Sequence, residues 1–242
     1  MMGLGIIIAG YLRHIEIPFE QLFLGVGSLF LLMAAIALLI LPKNQTSKFE
    51  LLSYKKDILR PKVLLFLLMM FLFAIHYGAE STSYGLFVKN TLGLNSLQTG
   101  LYMGVAIMMM ALTVTVISKN INRIKTKYIL LFALFVSGSG HILMTIKNPV
   151  ISALFRIYHE AGDAAMFFFV YYGLTKLFDL KRIGGNAGIF AFTGTLAGSL
   201  GALVFGPIGE KFGYEWPLII SGSTCLLAFL IALPFLHHFD HN

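Results

Sequence analysis

Apolar residues fall in seven long runs along the chain, near residues 19–41, 62–88, 97–118, 128–146, 150–178, 186–207 and 217–236, with most of the Lys and Arg gathered in the segments between them. A helix needs about 20 mostly apolar residues to cross a hydrocarbon core of roughly 30 Å, and each run is close to that length or longer. The pattern predicts seven membrane-spanning helices. The opening MMGLGIIIAGYL is different. As a helix it reaches only about 18 Å before Arg13 stops it, which is half a span. A signal peptide would place basic residues before its apolar stretch and a small-residue cleavage site after it, and this segment has neither.

Composition agrees with the pattern. The chain of 242 residues is 57% hydrophobic and 12% charged, with a mean hydropathy of +0.82, well beyond the apolar content of soluble domains. The predicted class is an all-α polytopic membrane protein. Charge placement then orients it, because Lys and Arg are retained on the cytoplasmic side. One set of alternate connections holds Lys43, Lys48, Lys55, Lys56, Arg60, Lys62, Lys119, Arg123, Lys125, Lys127, Lys176, Lys181 and Arg182, thirteen in all; the other holds Arg13, Lys89, Lys147 and Lys211, four. The first side, and with it the C-terminal HHFDHN, is expected to be cytoplasmic, in a plasma (inner) membrane. The net charge of +7 comes from these short loops, so it reports topology and contact with anionic lipid rather than nucleic-acid binding. The lone Cys225 lies in the last run and has no cysteine to pair with.

The two ends of the chain echo one another. GLGIIIAGYLRHIEIPFEQLFLGVGSLFLLMAAIALLILP and GALVFGPIGEKFGYEWPLIISGSTCLLAFLIALP share a Gly-punctuated helix end, a short polar loop with an acidic residue and a Pro, a Gly-Ser pair, a Leu/Ala run and a closing Pro. Gly27-Ser28 and Gly222-Ser223 lie 195 positions apart. Repeats at such spacing characterise transporters built from two helical bundles.

With these features the chain resembles the major facilitator superfamily (MFS) of secondary transporters, from the end of that family's fifth helix to its twelfth. GIIIAGYL is similar to the antiporter-type fifth-helix pattern, with Ile6 where a Pro often stands, and PKNQTSKFELLSYKKDILRPK to the cytoplasmic linker between halves. SKNINRIKTK occupies the place of the Gly-x-x-x-Asp-Arg-x-Gly-Arg-Lys loop, with Ser118, Asn122 and Lys125 at its Gly, Asp and Gly positions, so the loop's gating role does not carry over. FTGTLAGSLGALVFGPIGEKFG matches the Gly-rich eleventh helix. The resemblance implies a remnant of an N-terminal bundle over 1–41 (half span 1–12, span 19–41), a linker over 42–61, and a C-terminal six-helix bundle over 62–242. It further implies a secondary transporter of a small solute, proton-coupled, working by alternating access without a cofactor. Its partners would be membrane lipid, the solute and proton, and a missing N-terminal half without which the chain is inactive.

Ionisable groups inside the spans are the candidate site. Burying one in hydrocarbon costs roughly 2.5–3.5 kcal/mol on insertion scales, so such groups face a cavity or a partner. Within RIYHEAGDAAMFFF, Arg156, His159, Glu160 and Asp163 fall within about 100° of one helix face. Counted from Val150, Arg156 lies about 9 Å deep, Glu160 about 15 Å, and Asp163 a turn further. From the opposite side His76 lies about 20 Å from Val63, with Glu80 one turn on along the same face. By resemblance these two segments correspond to the seventh and tenth helices, which line the central cavity, so all six are expected to meet in one aqueous space. Glu160 is expected to carry the coupling proton beside Asp163, while Arg156 pairs with Glu160 or ties the helices together through Glu80. Tyr84, Gln98 and Tyr102 are expected in the outer vestibule. His141 is expected to be helix glue, and Gly100/Gly104 and Gly194/Gly198 to be close-packing positions.

Two other classes compete with a transporter. HEAGD resembles His-Glu-x-x-His with Asp163 for the second ligand, and His76-x-x-x-Glu80 would complete a seven-span metal-dependent hydrolase. That reading lacks a second deep pair of histidines, so no metal site is expected. The third class is a non-transporting membrane sensor or assembly subunit.

Overall fold

The computed structural model describes residues 2–41 and 51–239, so the expected linker residues 42–50, with Lys43 and Lys48, and the last residues of HHFDHN lie outside the described residues. Ten α-helices follow one another: α1 (Met2–His14), α2 (Phe19–Ile40), α3 (Leu51–Ile58), α4 (Pro61–Ala74), α5 (His76–Ala79), α6 (Ser96–Asn120), α7 (Thr126–Leu143), α8 (Pro149–Leu177), α9 (Ile183–Phe212) and α10 (Glu215–Ala232). Among the described residues there is no strand. The chain is an all-α polytopic membrane protein.

Six of the expected spans are long and apolar enough to cross a membrane: α2, the rod from α4 through Tyr84, α6, α7, the stretch ending in α9, and the one beginning with α10. The seventh, α8, has 29 residues and so a length of about 43 Å. Arg156, Glu160 and Asp163 lower its mean hydropathy below that of the others. The run expected as one helix over 62–88 is a broken rod. It turns at Ile75 and continues through α5 into wide π turns at Glu80–Tyr84 and Phe87–Thr91. Such π turns inside helices often mark functional sites.

Local chemistry sets the helix starts. Asn95 and Gln98 form a reciprocal capping box at the head of α6, satisfying two otherwise orphaned amides. At α8 the side chain of Asn148 accepts from the amides of Val150 and Ile151, and Pro149 fills the first turn, where its missing N–H costs nothing.

Small residues set the packing. α1 lies along α6 with Gly3 facing Gly104 and Gly10 facing Gly100, the close contact expected of that spacing. Between α5 and α9 the tightest approach is Gly78 on Gly201; Gly194 and Gly198 sit at looser contacts. α2 is the exception, with no buried residue and nothing near Gly25 or Gly27.

Two apolar layers enclose a polar one. Along α4, α5 and the π turns after them the buried order is Phe66, Met69, Phe73, then His76 with the half-buried Glu80, then Tyr84 and Phe87; along α7 it is Leu130, Leu134, then Ser137 and His141, then Met144. α8 runs the other way, from Phe155 through Arg156 to Asp163 and on to Met166 and Phe169. At the end of the bundle near the α8–α9 turn, Asp57 of α3 accepts from Arg182 Nε at 2.9 Å and from Asn186 Nδ2 at 3.2 Å. The Arg182 hydrogen bond holds the Asp57 carboxyl below the usual carboxylate range.

Candidate functional site

The polar layer is a single network built by three helices. α8 supplies Arg156, His159, Glu160 and Asp163, the α5 segment supplies His76 and Glu80, and α7 supplies Ser137 and His141. α7 and α8 approach so closely only because Gly140 lies on the His159 backbone and Gly162 on that of Ser137; a Cβ on Gly140 would stand 2.8 Å from His159 Cα.

Asp163 accepts from Ser137 Oγ at 2.7 Å and from His76 Nε2 at 3.1 Å, with His159 Nε2 at 3.5 Å. Glu80 Oε1 accepts from His159 Nε2 at 3.2 Å and from Arg156 Nη1, while Arg156 Nη2 donates to Glu160. The guanidinium also lies over the Tyr84 ring, 4.3 Å from its centre, a favourable cation–π position. His141 stacks on His159 with ring centres 4.7 Å apart and contacts Ser221 of α10 through Nδ1 at 3.0 Å. Its Nε2 is buried, 3.9 Å from Glu80 Oε1, and has no hydrogen-bond partner among the described residues.

The six expected residues therefore meet, but not in an open aqueous space. Arg156 is 5% exposed, Glu160 and Asp163 are 3% and both histidines are 0%, while Glu80 is half-buried. The side chains bond chiefly to one another, with Arg156 Nε and His141 Nε2 left over among the described residues. Two cavities lie beside the network. One of about 400 Å³ is lined by Phe73, Tyr77, Met166 and Phe167, and one of about 500 Å³ by Tyr77, Ser81, Thr195 and Gly198. Tyr77 belongs to both and its ring centre is 4.2 Å from that of His76, so it stands between the cavities and the network.

Tyr84 sits under Arg156, and Tyr102 packs against Tyr84 while bonding Ser152 at 2.7 Å. Gln98 is exposed and serves the capping box, away from the network. Arg156 grips Glu80 and Glu160 together rather than one or the other. Ser137 and Tyr77 carry no charge and had no signal in the sequence. His141 did have one, its place within an apolar run, but it reads there as glue.

A family model of the Major Facilitator Superfamily matches residues 1–202 of this chain. The chain belongs to the Major Facilitator Superfamily. Members of this superfamily are transporters, and the polar layer therefore lies within an integral membrane transport fold. A search of curated proteins finds no match.

Proposed function

We propose that the protein is a secondary active transporter of a small solute, coupled to protons by alternating access, and not an enzyme. The observation that supports this is the polar layer itself. Two carboxylates, three imidazoles and one guanidinium are buried at a level about halfway along α8, with Glu80 half-buried beside them, where each charge costs several kcal/mol that a merely structural contact would not need. Glu160 is the proposed proton carrier. Its tie within the network is Arg156 Nη2, and once protonated it releases that arm while Glu80 keeps the other. Tyr77 is the proposed gate to the adjoining cavities.

In the same reading the protein resides in the plasma (inner) membrane with its C-terminus cytoplasmic. Residues 62–242 form one bundle and residues 1–41 belong to the other. The contact of α1 with α6 supports such a docking between bundles, and the bare surface of α2 is where the rest of the first bundle would pack. Without that partner the site is half of a cavity and gives no saturable uptake.

The test is Glu160→Gln in the assembled transporter, reconstituted in liposomes. Accumulation driven by a pH gradient is expected to vanish while solute exchange persists, since exchange needs alternating access but no net proton movement. Gradient-dependent accumulation at the normal level would move the proton to another group, with His76 next.

A further inference from the structure

We propose that the polar layer binds a divalent first-row transition-metal ion, with His76, Glu80, His159 and Asp163 as ligands and His141 as a fifth donor at its edge. This deepens the transport reading by naming a ligand for the same residues, and it rests on that reading only for the ion's movement across the membrane.

The donor set comes first. His76 and Glu80 stand four residues apart on one helical segment, and His159 and Asp163 four apart on the facing one. Paired ligands one turn apart on facing helices are the arrangement by which helical bundles build metal sites. One donor atom from each of the four lies within 4.8 Å of all the others. His76 Nε2 lies 3.1 Å from Asp163 Oδ2, and His159 Nε2 lies 3.5 Å from Asp163 Oδ1 and 3.2 Å from Glu80 Oε1. A tetrahedron with bonds of about 2.1 Å has edges of about 3.4 Å, so the four donors would draw together around an ion.

The orientation of the rings is a second, independent observation. His76 Nδ1 is held by the Phe73 carbonyl at 2.5 Å, His159 Nδ1 by the Ser137 carbonyl at 2.8 Å, and His141 Nδ1 by Ser221 Oγ at 3.0 Å. Metal-ligating histidines are typically fixed in this way, with Nδ1–H donating to a backbone carbonyl and the Nε2 lone pair left for the ion. All three Nε2 atoms turn toward Glu80 or Asp163. That of His141, fully buried and without a hydrogen-bond partner among the described residues, is a donor with no protein group to serve.

The carboxylates are the third observation. Glu80 and Asp163 converge on one point, and His76 and His159 meet Asp163 and Glu80 through Nε2, the atom a divalent ion would take in place of a proton. Arg156 would yield Glu80 to the ion and keep Glu160 through its other arm. Imidazole with carboxylate suits zinc, iron, cobalt, nickel or manganese, and disfavours calcium and magnesium, which prefer oxygen alone.

The probe is Co²⁺, then Zn²⁺ in competition, added to the full 242-residue chain purified in detergent without a histidine tag. One equivalent of Co²⁺ is expected to bind with the visible absorption of a four- to five-coordinate nitrogen–oxygen site, and Zn²⁺ to bleach it. His76→Asn and His159→Asn should each weaken binding by about 100-fold or more, because losing an outer-shell partner alone costs roughly 10- to 100-fold. Replacing the exposed His14 and His237 by Gln should change nothing. No saturable binding by the unaltered chain overturns the proposal without recourse to any variant, as does binding that survives the two internal substitutions. Accumulation driven by a pH gradient, measured separately with the assembled transporter in liposomes, tests the transport reading. If accumulation persists with no metal bound, only the metal inference falls.

Discussion

Arg156 holds Glu80 with one arm and Glu160 with the other, so a single guanidinium serves two carboxylates, one half-buried and one buried, while Asp163 is left to Ser137 and the imidazoles. Removing the shared cation strands Glu160 and leaves Glu80 with His159 alone; removing Glu80 leaves Arg156 paired with Glu160. Breaking a buried pair by deleting one member costs about 3–5 kcal/mol when the survivor is uncompensated. Arg156→Gln is therefore expected to lower the unfolding midpoint in detergent much more than Glu80→Gln. Equal losses would mean that the two arms are not the means by which the charges are satisfied. The sequence showed four of these ionisable residues on one face of α8, because helical periodicity makes that legible. It could not show that Arg156 bonds both glutamates at once, since that depends on the exact approach of α5.

At the scale of the helices, that approach is a matter of missing side chains. A Cβ on Gly140 or Gly162 would push into the backbone of the facing helix and part α7 from α8, separating Ser137 from Asp163 and His159. Elsewhere in a helix, Gly→Ala gains as much as about 1 kcal/mol from propensity. The two effects have opposite sign. Gly140→Ala is expected to destabilise by roughly 1–3 kcal/mol, the usual cost of overpacking, whereas Gly25→Ala on α2, with open space around it, should be neutral or stabilising. Thermal unfolding of both variants reads the difference, and a stabilised Gly140→Ala would show that α7 and α8 do not pack this tightly. The sequence marked Gly100 and Gly104 correctly, since their spacing repeats on one face. Gly140 and Gly162 stand on different helices, and nothing in a linear pattern pairs them. His141 was legible as buried and illegible as a member of the site for the same reason.

For the whole molecule, the spans were legible because hydrocarbon leaves the backbone no partner outside the helix, so each crossing must be written as a long apolar run. The break at Ile75 and the π turns after it were not, because they leave hydropathy unchanged. Orientation is written in the loops alone. The rod from Pro61 to Thr91 carries Lys55 beyond one end and Lys89 at the other, both exposed. With thirteen basic residues on the first side and four on the second, Lys55 is expected in the cytoplasm and Lys89 outside. Cys225, the lone cysteine, is buried and provides a silent background. In intact cells a membrane-impermeant thiol reagent should label Lys89→Cys at once and Lys55→Cys only after permeabilisation. Labelling of Lys55→Cys from outside would invert the whole bundle. The Asp57–Arg182 contact would then face outward, and the proton path proposed for Glu160 would have to run in the opposite direction.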